Sequence, residues 1–370
     1  RRARAVETQV RRRTWRAPGS GPDGQRRDPS VRALSDALGD RVLLELLAVD
    51  GALHALVVDR GRVRHRRLGP LAPVVGELDA LRFALRRLLL RRGNDAAATA
   101  SAAHGLAALD AALLAPVADL IGDRRLVLVP TGALHALPWP MLPRLHGRPV
   151  CVTPSATLWW RAQAAGADGS RPGRPDGDRL VLGDRLVLGD RLVLVAAPSA
   201  LQAQDEAREI AARVPGARVL AGERARVPDA LAALDGAGTG HIAAHGEFRT
   251  DNPLFSFLML ADGPLTVYDL SAMRRPPALL VLSGCDTGQP AVRPGDELMG
   301  LVAALLGMGT RAVIASTGTV LDGATRALMT DVYAHLEAGR SPADALARAQ
   351  AAADESVRAS TASFVCFGAG

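Results

Sequence analysis

Two short stretches decide how this chain of 370 residues reads: His241-Ile-Ala-Ala-His245-Gly246-Glu247 and Leu279-Leu-Val-Leu-Ser-Gly284-Cys285-Asp286-Thr287-Gly288. Each is a short apolar run that ends in a reactive side chain followed by small residues. Such runs suit strands buried on both faces of a parallel sheet. His245 and Cys285 stand 40 residues apart, room for the crossover between neighbouring parallel strands. In an open α/β sheet, chemistry collects at the carboxyl ends of such strands. A thiol is poorly ionised at neutral pH, and a neighbouring imidazole can take its proton and return it to a leaving group. His245 and Cys285 therefore read as general base and nucleophile. The backbone amides of Gly246 and Cys285 are candidate oxyanion donors, because glycine permits close approach. On residue types alone the alternative stays open: a strand-end cysteine that only packs and a histidine that only satisfies its neighbours.

The composition fits a globular protein. Hydrophobic residues make up 48% and mean hydropathy is slightly positive, which excludes a disordered chain. Aromatics are only 3%, so the core must be built from Leu, Val and Ala. Lysine is absent and arginine carries all the side-chain positive charge, so arginine clusters carry little information. The net charge of +7 sits mostly in residues 1–28, where nine Arg face Glu7, Asp23 and Asp28 for a local +6; the remainder is near neutral at +1. A nucleic-acid-binding body would carry its own basic face, so no nucleic-acid partner is expected for the body of the domain; a basic arm over residues 1–30 is the alternative to a solvated charge run. The three cysteines, Cys151, Cys285 and Cys366, form neither a disulfide framework nor a zinc ribbon. The expectations are a reducing, cytoplasmic setting with no metal and no cofactor. No apolar run approaches about 18 residues, so no membrane segment is expected. The chain starts at Arg1 and reads as a piece of a longer protein.

In order, residues 1–30 read as a basic flexible linker. Residues 41–49, 52–59 and 62–68 read as three antiparallel strands turned by Asp50-Gly51 and Arg60-Gly61. Helices follow over 71–92 and about 97–121, then a strand over 125–129. The Pro- and Trp-rich loop 130–142 should pack on the domain, with His135 structural. Residues 166–190 read as a second linker, including a tandem Gly-Asp-Arg-Leu-Val-Leu repeat at 177–194 whose last copy enters a strand at 191–197. Three copies do not make a solenoid. The remainder alternates strands (218–221, 241–244, 278–283, 312–316) with helices (203–214, 227–234, 267–273, 298–306, 325–337, 343–352), with 247–265 as loop. This alternation predicts an α/β fold with a mainly parallel sheet covered by helices.

The chain resembles the CHAT domain, a caspase-like cysteine peptidase domain associated with TPR repeats and related to the caspase and separase group. The segments that carry the resemblance are 241–246, Asn252-Pro-Leu-Phe-Ser256, Leu265-Thr-Val-Tyr-Asp-Leu270, 279–288, Gly295-Asp-Glu-Leu-Met-Gly300 and Phe364-Val-Cys-Phe-Gly368, with Pro130-Thr-Gly-Ala-Leu-His-Ala-Leu-Pro138 upstream. The resemblance implies two related subdomains: a smaller non-catalytic one over 31–165 with antiparallel strands, and a caspase-like catalytic one over 191–370. It implies His245 as base and Cys285 as nucleophile of a peptidase dyad acting on a protein substrate. It also implies an upstream TPR or other sensor region and an activating partner, in a bacterial signalling or defence system. Two positions depart from the family pattern. Gly318, within Ser316-Thr-Gly-Thr-Val320, stands where Trp is usual, which puts substrate preference in question. Gly284 stands where Ala is usual, a smaller change.

Asp286 follows the nucleophile where Glu is usual. It could receive a basic substrate side chain, or it could bond backbone amides and shape the loop. Asp322 is a weaker pocket candidate and reads also as a helix cap. His241 should pack in the core or orient the dyad. A zinc deaminase would need a Pro-Cys-x-x-Cys after His245-Gly-Glu247, which is absent. A hydrolase elbow would need Gly two before and two after Cys285, where Ser283 and Thr287 stand. The reading is a caspase-like cysteine endopeptidase; the rival is a catalytically silent caspase-like scaffold or signalling module.

Overall fold

The computed structural model describes residues 28–90, 95–167, 191–198, 200, 202–247, 253–284, 294–318 and 320–370. Helix α1 (Val31–Leu38) starts under a cap from Ser30, whose hydroxyl oxygen accepts the Ala33 N–H at 3.1 Å. Strands β1 (Val42–Val49), β2 (Ala52–Asp59) and β3 (Arg62–Pro70) form the expected antiparallel meander. Its turns put Asp50, Gly51, Arg60 and Gly61 at φ of 49°, 75°, 46° and 75°, the pair of positive values that a two-residue turn of this hand demands. Helices α2 (Leu71–Leu90) and α3 (Ala96–Leu113), strands β4 (Leu126–Val129) and β5 (Val150–Val152), and helix α4 (Ala156–Ala167) follow.

The second stretch runs β6 (Leu192–Ala196), α5 (Ala203–Arg213), β7 (Arg218–Ala221), α6 (Val227–Leu234) and β8 (Thr239–Ala243). A small sheet of β9 (Gly246–Glu247), β10 (Phe257–Leu260) and β11 (Gly263–Thr266) comes next. Then come β12 (Leu279–Leu282), α7 (Pro294–Met308), β13 (Ala312–Ser316), α8 (Asp322–Glu337), α9 (Pro342–Ala352) and β14 (Phe364–Gly368).

The meander is not a separate small sheet. One sheet runs through both stretches in the order β3-β2-β1-β4-β5-β14-β13-β12-β8-β6-β7. Strands β1, β4, β5 and β14 are mutually parallel, as are β13, β12, β8, β6 and β7. The two sets meet antiparallel at β14 and β13. The last strand of the chain therefore joins the sheet of residues 42–152 to that of residues 192–316. Side chains alternate between faces, as a strand requires. Leu280 and Leu282 of β12 join the core that contains Phe367, Val313 and Ile242. Leu279 and Val281 join the opposite core, with Ile314, Phe364 and Leu336.

Five elements differ from the sequence reading. The stretch 97–121 breaks after Leu113, because Pro116 cannot continue a helix. Taken whole, Ala96–Ile121 is nevertheless apolar and long enough to cross a membrane by composition, which corrects the count of apolar runs above. In the structure 44% of its most apolar 18-residue window is buried, and its Gly105 lies against Leu81 of α2. The stretch 247–265 is not loop: β10 and β11 pair across Ala261-Asp262. The Asp262 carboxylate accepts the Val227 N–H at 2.8 Å, and that bond holds its pKa below the usual range. Strand β5 and helices α1 and α4, unread in the sequence, are short or lack strong periodicity. Residues 1–27 and 168–190, with the linkers and most of the hexapeptide repeat, lie outside the described residues. The loop 130–142 packs as expected, with Leu134, Leu137, Trp139 and Leu142 fully buried and His135 Nε2 2.8 Å from the Pro130 carbonyl.

Because β14 lies at the junction, its packing bears on the whole sheet. Phe367 is 0% exposed. Phe367→Ala should destabilise the fold by about 3–5 kcal/mol, read as a lower urea midpoint with no gain of a second transition.

Candidate active site

The site is set by the parallel pairing of β8 with β12, which places Val281 opposite His241 and Leu282 opposite Ile242. Beyond that register the Ser283 N–H still donates to the Ile242 carbonyl at 3.1 Å. The two strand ends then lie so close that a Cβ on Gly284 would sit 1.5 Å from the carbonyl oxygen of Ala244. Gly284 is thus not the minor change the sequence suggested: this backbone approach leaves no room for alanine.

His245 follows β8 and is partly exposed. Its carbonyl accepts the Met259 N–H at 2.7 Å, and Gly246, next in the chain, pairs with Leu258. The hairpin β10–β11 therefore anchors the backbone on which the imidazole rides. His245, Ser283, Gly284, Glu206, Gln202 and Thr325 line one small, open hollow. The structure brings His245 together with the residue that precedes Cys285. Cys285 and Asp286 lie outside the described residues. Asp322 opens α8, whose cap position is Leu321, so its backbone is not the cap that the sequence suggested. At Gly318 a Cβ would meet nothing within 4 Å, so the position of the usual Trp is open space. Ser316 Oγ bridges that turn, donating to the Gly318 carbonyl at 2.6 Å and accepting its N–H at 3.2 Å.

Three residues missed in the sequence surround His241, which is 1% exposed. Its Nδ1 lies 3.2 Å from the Tyr333 hydroxyl. Its Nε2 lies 2.9 Å from Ser283 Oγ and 2.7 Å from Glu206 Oε1. That carboxylate oxygen is close enough to pair electrostatically, yet it lies off the line a ring N–H would need for a hydrogen bond. Burial, and then the negative charge of Glu206, push the Tyr333 phenol well above its ordinary pKa. The carboxylate beside Nε2 favours the ring proton on that nitrogen, and Nδ1 is then free to accept from the Tyr333 hydroxyl. A signal for Glu206 did exist. It occupies the buried stripe Ala203, Glu206, Ala207, Ile210 of α5, and a carboxylate on an apolar helix face calls for a partner.

The other cysteines are remote in register, paired across β5 and β14. Both are buried, and the Cys151 thiol donates to the Gly370 carbonyl at 3.2 Å. Its contact with Cys151 and its burial push the Cys366 thiol up. Among the described residues there is no cluster of His, Cys, Asp and Glu able to hold a metal ion.

Comparison with known proteins follows this geometry. The model of the CHAT domain matches residues 104–369. No curated protein matches the chain. Two crystal structures of the Saccharomyces cerevisiae separase–securin complex are similar in fold. The 2.6 Å structure gives a TM-score of 0.60 at 11% identity, over 91% of this chain and 30% of that one. The 3.0 Å structure gives 0.55 at 10% identity, with the same coverage. The chain thus spans under a third of the length of those chains. The Arg-specific cysteine proteinase gingipain R matches with a TM-score of 0.42 at 11% identity, over 66% of this chain and 62% of that one.

Two outcomes follow. Gly284→Ala should cost about 1–3 kcal/mol or more in a denaturation curve, since a backbone oxygen must move to admit the methyl group. Tyr333 ionises less readily folded than unfolded, so its contribution to stability is complete below the unfolded pKa of about 10 and is lost as pH rises through its folded pKa. Urea midpoints taken from pH 8 to 11 should fall above about pH 10, and Tyr333→Phe should flatten that decline.

Proposed function

Because the chain belongs to the CHAT domain family, we propose that it is a caspase-like cysteine endopeptidase with Cys285 as nucleophile and His245 as general base. The observation that supports this most is convergence: His245 and Gly284, the neighbour of Cys285, line one hollow at the carboxyl ends of paired parallel strands. That is where an open α/β sheet gathers its chemistry.

In this mechanism His245 takes the thiol proton of Cys285, and the thiolate adds to the scissile carbonyl carbon. The carbonyl oxygen becomes an oxyanion held by the amides of Gly246 and Cys285. Collapse of the tetrahedral intermediate breaks the C–N bond, and His245 returns its proton to the leaving amine. Water, deprotonated by His245, then hydrolyses the thioester and restores the thiol. Asp286 and Asp322 are the acids proposed to receive a basic substrate side chain. A sensor region outside this chain, of the TPR kind, and an activating partner would govern the site, in a cytoplasmic bacterial signalling system.

A second reading, a catalytically silent scaffold, draws support from Gly318, where open space stands in place of an aromatic wall.

Alkylation decides between them. Peptidyl electrophiles with Arg or Leu at the residue before the scissile bond should label Cys285 selectively, and His245→Ala should abolish the labelling. Cys151 and Cys366 are 3% and 1% exposed, so they serve as silent internal controls and glutathione as the free-thiol standard. Preference for Arg would favour the acidic pocket. Labelling of Cys285 no faster than glutathione, unchanged in His245→Ala, would favour the scaffold.

A further inference from the structure

At the wall of the hollow and behind it lies a polar cluster that the dyad does not use. Glu206 from α5, His241 from β8, Ser283 just past β12 and Tyr333 from α8 meet in the interior. They are 3%, 1%, 5% and 0% exposed. Tyr333 belongs to a core made mostly of Leu, Val, Ile and Ala. Apolar side chains of similar volume in place of buried polar or ionic groups are often neutral or stabilising, so stability alone does not account for this cluster.

Its placement does. His241 lies on the strand that leads to His245, and Ser283 lies two residues before Cys285. The ladder between these strands ends at the pair Leu282 and Ile242. One step beyond, the side-chain contact from His241 Nε2 to Ser283 Oγ, at 2.9 Å, carries on where the ladder stops. Glu206 Oε1, at 2.7 Å from the same nitrogen, sits on the wall of the hollow. On the other side, Tyr333 holds Nδ1. The ring is thus gripped at both nitrogens from three elements. Asp205 and Glu209 of α5 face Arg326 of α8 instead, at 3.9 and 3.7 Å, and Arg213 of α5 faces Glu337 of α8 at 3.7 Å. Only His245 adds a further titratable group to the hollow among its described lining residues.

Resting on the peptidase reading above, we propose that Glu206, His241 and Ser283 are positioning residues. The Glu206 carboxylate keeps the His241 Nε2 proton directed at the Ser283 side of the ring, and this link sets the spacing between His245 and the chain that enters Cys285. It works as the outer support of a reacting group does elsewhere, holding geometry without touching the substrate.

The test measures the second-order alkylation rate of Cys285 by iodoacetamide, from pH 5.5 to 9, by mass spectrometry of the intact 370-residue chain. Iodoacetamide needs no binding pocket, so the rate reports thiolate formation and access. Wild type is compared with Glu206→Gln, Glu206→Asp, Ser283→Ala and His245→Ala, each with its thermal melt. Glu206→Gln and Ser283→Ala should slow labelling about 10–100-fold, the range that loss of an outer support costs at other sites. Glu206→Gln should also move the pH at which the rate is half-maximal, and Glu206→Asp should recover part of both. A residue that only packs would change the melt and leave the pH profile in place. Should Glu206→Gln fail to fold, Ser283→Ala, which removes one hydroxyl, carries the test alone. Wild-type rate and profile in Glu206→Gln and Ser283→Ala, with labelling abolished in His245→Ala, would overturn the positioning role and leave the dyad standing. A wild-type rate equal to that of glutathione and indifferent to His245→Ala would remove the dyad, and the positioning role with it.

Discussion

The parallel register between β8 and β12 is the constraint on which the site depends. Once Val281 lies opposite His241, the strand ends arrive together, and the close passage of Gly284 over the Ala244 carbonyl follows. A one-residue slip would exchange the two faces of the strand. It would send Leu280 and Leu282 into the core that now holds Leu279 and Val281. Because both faces are buried, the register is held by packing on each side, and the geometry at the strand ends inherits that precision.

The sheet owes its continuity to the end of the chain. Strand β14 is antiparallel to β13 and parallel to β5. Gly368 has φ of 83°, and a Cβ there would lie 2.4 Å from the Arg311 carbonyl oxygen, so backbone packs on backbone at the junction. Contacts between residues far apart in sequence are made late, after the entropy of long loops has been overcome. The fold is therefore complete only when the last strand is in place. The likeness to separase, at 11% identity, fits this picture. A twisted sheet with buried strands tolerates wide substitution if pattern and volume are kept, while function resides in the residues grafted at the strand ends.

Apolar packing and polar placement divide the work. Leu, Val and Ala supply the cores on both faces, as an aromatic content of 3% requires. One exception is the cluster around His241, where four polar side chains are buried together. Such a cluster specifies geometry more sharply than apolar contacts do, because each hydrogen bond has a length and a direction. Two of its members, Glu206 and Ser283, line the same hollow as His245.

Much of this was legible in the chain. Buried strands read as apolar runs, hairpins as Asp-Gly, and helices as stripes with caps such as Ser341, whose hydroxyl oxygen accepts the Asp344 N–H. These signals are local, since periodicity and turn chemistry act over a few residues. The approach of His245 to Ser283 and Gly284 was also legible, because consecutive strands joined by a crossover commonly lie side by side in a parallel sheet. What tertiary structure alone decided was non-local. The sequence contained Glu206, Ser283 and Tyr333 without indicating that they meet at one imidazole, since that contact joins residues up to 92 positions apart. It contained Phe364–Gly368 without indicating that this strand would close the sheet. It contained Gly284 without showing the carbonyl that forbids a side chain there. Sequence determined which elements form and which faces they bury; three-dimensional packing determined which of those faces meet, because only the assembled sheet brings distant backbone and side chains within contact range.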